Sequence, residues 1–532
     1  METTPVELRA SRPRRVRRLL FVFPRYARSF GTLHHAYELL PGVRAFMPPQ
    51  GVLLVVGYLP REWPVRVVDE NVRPVSDADL AWSDAVLVSG MHVQRPEIHR
   101  LIAAAHRHGK VAVLGGPSVS AAPDDYPDAD VLHLGEIGDA TDALVRRLDE
   151  TVERPREQVR LVTTVRHPLD ALPPPAYGLI DLRRYFLGSI QFSSGCPFLC
   201  EFCDIPELYG RVPRLKRPAQ VLAELDALRA GGVRGAVYFV DDNFIANPHA
   251  ARALLGELIA WQRRHGYPLR LNCEATLNLE RHPDILAAMR EANFVTVFCG
   301  VESPEPDALV QMRKTQNVRG PLLDAVHTLN RYGLEVVAGM ILGLDTDSAD
   351  TGEHIVEFVD ASQIPMLTIN LLYALPRTPL WRRLAAAGRL VEDPTRESNV
   401  AFLRPYDAVV ATWRQVVDTV YDPPRLLERF RWQTEATFTN RLAVRPSVDL
   451  DLVRYGLGVL GRVGWKVGVR ADYRAEFWRV ARRLLARGRL EEVVHLAIVA
   501  HHLIRFTRES AAGHGEVSFY ADRERGTLAA AG

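Results

Sequence analysis

Cysteine is scarce in this chain, with five in 532 residues, too few and too unevenly spread for a fold stapled by disulfides. No stretch reaches the roughly 18 uninterrupted apolar residues of a membrane-spanning helix. The opening METTPVELRASRPRRVRRLLFVFPR has a run of only five apolar residues between its arginines and Pro24, too short for the core of a signal peptide. A large charge of one sign is missing too. The 66 basic and 64 acidic side chains leave a net charge of +2, so nothing global recruits nucleic acid. What remains is 47% hydrophobic and 24% charged, a globular composition that excludes disorder of the whole chain. A length prior of about 150 residues per domain gives two to four domains. A cytoplasmic protein with its thiols reduced is expected.

The cysteines that are present are concentrated. Cys196, Cys200 and Cys203 fall together in SSGCPFLCEFCDIPELYG, spaced C-x3-C-x2-C. A structural zinc site wants four ligands, and no fourth Cys or nearby His completes this loop. A disulfide would pair two and strand one. A cubane iron-sulfur cluster held by three thiolates keeps one iron free to bind something else, which suits an incomplete set. Cys273 and Cys299 lie among apolar neighbours in strand-like runs and read as small buried hydrophobes.

Two alternating series organise the chain. Residues 1–150 contain strand-like runs at 17–23, 65–70, 85–90, 110–116 and 130–135, with helical spacing between them. This predicts a doubly wound parallel sheet. Its turns carry Ser89, Gly90 and Met91 after one strand and Gly115, Gly116, Pro117 and Ser118 after the next, at the carboxyl ends where such sheets bind ligands. A Pro- and charge-rich stretch over 151–184 reads as a linker. Residues 185–400 hold six further runs, at 188–195, 235–243, 269–277, 294–303, 334–344 and 365–375. Six strand-helix units predict a partial (β/α)6 barrel, with the cysteine loop directly after its first strand, at the catalytic face of such barrels. From 401 to 532 the pattern turns helical.

The C-x3-C-x2-C loop after a barrel strand, with Phe202 before the last Cys, resembles the radical S-adenosylmethionine superfamily. The resemblance implies a 4Fe-4S cluster on Cys196, Cys200 and Cys203, with S-adenosyl-L-methionine chelated at the open iron and cleaved to a 5'-deoxyadenosyl radical. It also implies cofactor contacts from Asp241, Asp242 and Asn243 after the second barrel strand, from Glu274 and Glu302 after later strands, and from Gly339 and Gly343 in GMILGL. A doubly wound domain ahead of the barrel is similar to the cobalamin-binding class of radical methylases. On that reading Ser89 to Met91 and Gly115 to Ser118 line the slot for the cobalamin tail. The D-x-H-x-x-G motif that supplies a histidine to cobalt is absent, and His133 in DVLHLG reads as a strand residue, so cobalt is expected without a protein histidine. One S-adenosylmethionine would methylate the cobalamin, a second would generate the radical, and methylcobalamin would deliver the methyl group.

Longer phrases, among them FVFPRYARSFGTLHHAYEL, GSIQFSSGCPFLCEFCDIPELYGRVPRLK, TINLLYALPRTPLW and AHHLIRFTRES, resemble the hopanoid-methylating members of that class over nearly the whole chain. This implies a hopanoid lipid substrate methylated at C-2, and an electron donor such as flavodoxin or ferredoxin. A methylase of another natural product, or an iron-sulfur protein without catalysis, are the alternatives. The C-terminal region places Trp465, Phe477 and Trp478 among many arginines. Basic amphipathic helices with Trp can lie at a membrane interface, which would suit peripheral contact with the inner face of the membrane, although such stripes also pack on their own domain. His501 and His502 read as helix residues.

Overall fold

The structure, a computed structural model, describes residues 15–393, 396–444 and 450–511. The outer ends of the first and last expected regions, 1–14 and 512–532, lie outside the described residues. Near the N-terminus β1 (Leu19–Phe23), β2 (Val65–Asp69), β3 (Ala85–Ser89), β4 (Val111–Gly115), β5 (Val131–Leu134) and β6 (Val159–Val162) form one sheet in the order β2-β1-β3-β4-β5-β6. Every pairing in it is parallel.

Successive side chains of a strand point to opposite faces, and parallel sheets are covered on both. The core divides accordingly. Leu20, Val22, Val86, Val88, Ala112 and Leu114 pack on one face with the helix Arg95–Arg107. Leu19, Phe21, Ala85, Leu87, Val111 and Val113 pack on the other with Leu144 and Leu148 of the helix Asp139–Glu150. Both faces being apolar explains the near-continuous hydrophobic runs in the sequence. The stretch expected to be a linker contributes β6, whose residues alternate between half-buried and exposed. As an edge strand with only one covered face, it carries too few apolar residues to stand out among its prolines and charges.

The second sheet begins with β7 (Gly188–Ile190). A short antiparallel pair, β8 (Ser193–Ser194) and β9 (Arg214–Leu215), brackets the cysteine loop. Then β10 (Gly235–Phe239), β11 (Leu269–Glu274), β12 (Phe294–Glu302), β13 (Glu335–Leu342) and β14 (Met366–Leu371) follow, giving the parallel order β14-β13-β12-β11-β10-β7. Six parallel strands with β7 and β14 at the edges make the partial barrel expected. Helices cover it, and the C-terminal helices Tyr406–Val420, Pro423–Ala436, Arg474–Ala486 and Leu490–Ala511 continue the same apolar core. Trp413 is almost fully buried and its indole N–H donates to the carbonyl of Ile369 on β14 at 2.8 Å. Glu335, 1% exposed at the start of β13, is held by His495 at 2.9 Å and by Arg441 at 3.4 Å.

Between β1 and the helix Gln50–Tyr58 the chain leaves its own sheet. Phe30, Leu33, Ala36, Leu39 and Leu40 are buried in the core of the barrel and the C-terminal helices. Phe30 stacks on Tyr421 and meets Phe506 edge-on.

At Gly116 the backbone has φ +92°, and an added Cβ would sit 2.6 Å from the Ser89 hydroxyl. Gly116→Ala is expected to cost about 1–3 kcal/mol from backbone strain and crowding together, read as a lower thermal midpoint. Adding Ser89→Ala should recover only the crowding part.

Candidate active site

The carboxyl ends of the two parallel sheets face each other. The short helix Pro117–Ala121 after β4 packs on Ile205–Leu208, which follows the cysteine loop. Glu136, just beyond β5, accepts from the Ser194 hydroxyl at 3.1 Å and from Arg214 at 2.7 Å, and pairs with Arg166 at 3.0 Å. Arg166 in turn donates to the carbonyls of Leu208 and Tyr209 at 2.8 and 3.0 Å.

The cysteine loop is shaped by its backbone. Gly195 has φ +100°, and a Cβ there would lie 2.9 Å from the Gly210 carbonyl oxygen. The neighbouring Cys196 N–H donates to that carbonyl at 3.1 Å, Cys203 N–H to Cys200 O at 3.2 Å, and Glu201 N–H to Met312 O at 2.8 Å. The Glu201 carboxylate is clamped by Arg383 at 2.6 and 3.0 Å. Cys200 is buried and Cys196 and Cys203 are half-buried, all three as free thiols. Burial pushes the Cys203 thiol well up, and Cys196 up as well, each further raised by its neighbouring cysteines. Such thiols ionise only when a metal takes the charge. Three thiolates from one short loop with no fourth protein ligand suit a metal cluster that keeps one position open.

The expected carboxylates divide into two kinds. Asp241, 1% exposed, accepts the N–H of Phe192 at 2.7 Å and both the N–H and the hydroxyl of Ser193 at 3.0 and 2.8 Å. Its oxygens are therefore committed to the approach to the cysteine loop. Asn243 is similarly engaged, bridging Ile245 N–H at 3.3 Å and Thr276 at 3.3 and 3.4 Å. Asp242 and Glu274 have oxygens to spare. Asp242 accepts from Gly195 N–H at 2.6 Å and Glu274 from the Tyr238 hydroxyl at 3.3 Å. Burial pushes both carboxyls up to about 7, reinforced at Asp242 by Asp241, Glu136 and Asp204 and at Glu274 by Asp242 and Asp241. Two buried carboxylates without a basic partner favour a cation beside them.

Glu302 ends β12 in a left-handed conformation, φ +69°, and receives Lys314 Nζ at 2.6 Å. An added Cβ at Gly300 would lie 2.2 Å from Glu302 Oε1, and one at Gly339 3.6 Å from Glu302 Oε2. The two glycines thus make room for this carboxylate. Gly343, φ +92°, instead faces the Phe402 ring, 2.5 Å from where a Cβ would sit. In the first domain, Ser118 N–H donates to Gly90 O at 3.2 Å and the Ser118 hydroxyl bonds Tyr126 at 2.5 Å. Met91 is exposed, and Gly90 is hemmed in by Ile98, Gln94 and Pro24. His133 is buried in β5 with its Nε2 2.8 Å from Thr141, and Cys273 and Cys299 are fully buried.

Sequence reasoning overlooked Lys314 and Gln316. Lys314 is 5% exposed, 5.6 Å above the Phe202 ring. Burial lowers its pKa, but Glu302 and then Cys200 outweigh that and keep it charged. Gln316 Nε2 lies 3.5 Å from Cys200 Sγ. Their stretch, QMRKTQN, has no recognisable spacing. Only the fold brings it to the cysteines.

Residues 190–359 match the radical SAM superfamily and residues 378–516 match a domain of unknown function. The chain is 52% identical to the hopanoid C-2 methylase of Rhodopseudomonas palustris (strain TIE-1), over 96% of this chain and 97% of that one. This chain belongs to the hopanoid C-2 methylase family. Among solved structures, the family fold is similar to that of TsrM from Kitasatospora setae, a radical S-adenosylmethionine methyltransferase with cobalamin and a 4Fe-4S cluster bound. That match has TM-score 0.58 and 17% identity, covering 89% of this chain and all of TsrM. It is also similar to the cobalamin-dependent S-adenosylmethionine radical enzyme OxsB, with TM-score 0.59 and 13% identity over 94% of this chain and 80% of OxsB.

Because Asp241 satisfies three donors leading into the cysteine loop, Asp241→Ala should cost about 3 kcal/mol and sharply lower the iron retained on purification. Asp241→Asn, which still accepts one bond, should fall between it and the parent. Iron analysis with thermal melts checks both.

Proposed function

We propose that this protein is a cobalamin-dependent radical SAM methyltransferase that converts a hopanoid lipid to its 2-methyl form. The observation that supports it most is the juxtaposition of a glycine-lined sheet edge and a three-cysteine loop at one mouth, in a chain 52% identical to a hopanoid C-2 methylase. C-2 of a hopanoid ring has no adjacent carbonyl to acidify its hydrogen, so a side-chain base cannot activate it. When bound, the cluster with S-adenosylmethionine supplies a carbon-centred radical able to abstract that hydrogen, and cobalamin supplies the methyl group.

The protein's own task is positioning. Cys196, Cys200 and Cys203 hold the cluster, and Lys314 and Gln316 place a positive charge and an N–H beside the Cys200 thiolate. Asp242 and Glu274 meet the cationic part of S-adenosylmethionine, and Glu302 is held ready by Lys314 beside Gly339. Ser89 to Met91 and Gly115 to Ser118 form the cobalamin slot, where Gly116 leaves space against Ser89 that any side chain would fill. Reduction of the cluster calls for a low-potential donor of the flavodoxin or ferredoxin kind.

Delivery of a lipid is supported by the C-terminal region. The helix Leu450–Val463 and the π-helical turn Gly464–Arg470 expose Leu450, Val453, Leu457, Trp465 and Val469 along one side at helical spacing. Leu450 is 82% and Leu457 63% exposed. Arg454, Arg462 and Arg470 are exposed on the same stretch. Phe477 is buried instead, and Trp478 packs on Gly468, donating to its carbonyl at 2.8 Å. Of the three aromatics read from the sequence, Trp465 alone faces outward. No helix among the described residues is long and apolar enough to cross a membrane. The exposed stripe supports a reading in which the protein meets its substrate at the membrane surface, with the stripe in the interface and the arginines toward anionic headgroups.

Expression in a hopanoid-producing strain lacking its own C-2 methylase should give 2-methylhopanoids by mass spectrometry, and Cys200→Ala should give none. Unmethylated hopanoids despite cluster-loaded protein and adequate cobalamin would overturn the substrate assignment.

For the membrane surface, the parent should float with vesicles containing phosphatidylglycerol. Leu457→Glu combined with Trp465→Glu should leave the protein at the bottom of the gradient with its iron content intact. Equal flotation of the two proteins would remove this stripe from the reading.

A further inference from the structure

Away from the facing strand ends, the segment after β1 and the last helix bring histidines together from opposite ends of the chain. His35 Nε2 lies 2.8 Å from Glu509 Oε2, and His34 Nε2 lies 4.0 Å from the same oxygen. One donor atom from each of His34, His35 and Glu509 falls within 4.8 Å of the others. The second carboxylate oxygen, Oε1, is turned toward Arg505 at 4.0 Å. Oε2 is thus left to the two imidazoles.

His34 Nε2 is buried and has no hydrogen-bond partner, an arrangement that costs stability unless something fills it. Its ring is oriented from the other side, Nδ1 lying 3.3 Å from the Thr32 hydroxyl. His502 packs edge-on at 5.0 Å from His34 and donates from Nε2 to the Phe30 carbonyl at 3.0 Å. Burial, reinforced by the other histidines, holds His34 down to about 2 and His502 to about 3, and burial also lowers His35. Neutral imidazoles present lone pairs. Arg505 and Arg28 bear on the cluster and help to keep His34 neutral, while Lys466 and His501 are drawn to Glu38, which Arg505 also reaches.

We propose that His34, His35 and Glu509 form a zinc site that clamps the segment after β1 to the C-terminal helix. Two imidazole nitrogens and one carboxylate oxygen form the three-ligand zinc set whose fourth tetrahedral position is taken by water, unlike a closed four-ligand structural site, and it ties the two segments together all the same. The Thr32 hydroxyl acts as the outer partner that orients a ligating imidazole. The same donor set also accepts ferrous iron, but zinc has no redox chemistry of its own, which suits a structural clamp in a protein that handles radicals. The clamp does not depend on the assigned substrate or on the cofactor contacts.

The test uses the holoenzyme, purified anaerobically with its cluster, equilibrated with zinc chloride and desalted. Elemental analysis should find one zinc per chain in addition to the iron, and X-ray absorption at the zinc edge should show nitrogen and oxygen neighbours without sulfur. His34→Gln, His35→Gln and Glu509→Gln should each weaken zinc binding at least about 100-fold, beyond the loss seen for outer-shell partners, while retaining iron. Zinc should raise the thermal midpoint of the parent and not of these variants. Cys200→Ala should keep its zinc. Absence of zinc from the holoenzyme, sulfur in its coordination, or undiminished zinc in folded, iron-loaded His34→Gln would each overturn the site.

Discussion

The arrangement rests on the contact of Glu136 with Arg166, Arg214 and Ser194. One carboxylate, standing at the end of a strand of the first sheet, is met by residues of the strands that bracket the cysteine loop of the second. The contact keeps the carboxyl edge of one sheet opposite its partner's, and in the proposed reaction group transfer between two cofactors would depend on that separation. The glutamate is only partly exposed, at 16%, so its ion pairs are less screened than surface pairs and removal of either partner would strand a charge.

A second economy lies in how the mouth uses its acids. Asp241 and Asp242 are adjacent in the chain, yet one is consumed in holding the backbone of Phe192 and Ser193 while the other takes a single backbone N–H, from Gly195, and keeps an oxygen to spare. Neighbours on a strand end point opposite ways, so one inevitably faces the frame and the other the opening. Lys314 stands between Glu302 and Cys200 and serves both. Its charge is fixed by a carboxylate that is itself held in an uncommon left-handed conformation.

Much of this was legible beforehand because parallel strands covered on both faces write themselves as apolar runs. All eleven expected strand positions are occupied by strands, and the cysteine loop follows β7 as its spacing implied. What escaped reading had a physical reason in each case. β6 is an edge strand with one wet face. Lys314 and Gln316 sit in a stretch without periodicity and reach the cysteines only through the turn after Pro306–Gln311. The segment around Phe30 to Leu40 consists of short 3-10 turns, so neither helical nor strand spacing marks it, although it is deeply buried. The matter of which carboxylates face the mouth was likewise closed to sequence, since Asp241, Asp242 and Asn243 are equally polar and differ only in direction.

The burial of that segment has a bearing on how the protein is made. His35 and Glu38 meet Glu509 and His501 across sequence separations of 474 and 463 residues, and Phe30 rests on Phe506. A nascent chain that has completed both sheets still lacks the helix Leu490–Ala511, which packs on that segment and on the other C-terminal helices. Contacts so distant in sequence form late, because the chain ends must first be brought together. Until the last helix leaves the ribosome the segment after β1 can rest on Tyr421 but lacks Phe506, His501 and Glu509. A message cut short near its end would yield a protein with every strand in place but with Phe30 deprived of Phe506 and His35 of Glu509, a species for proteases and chaperones.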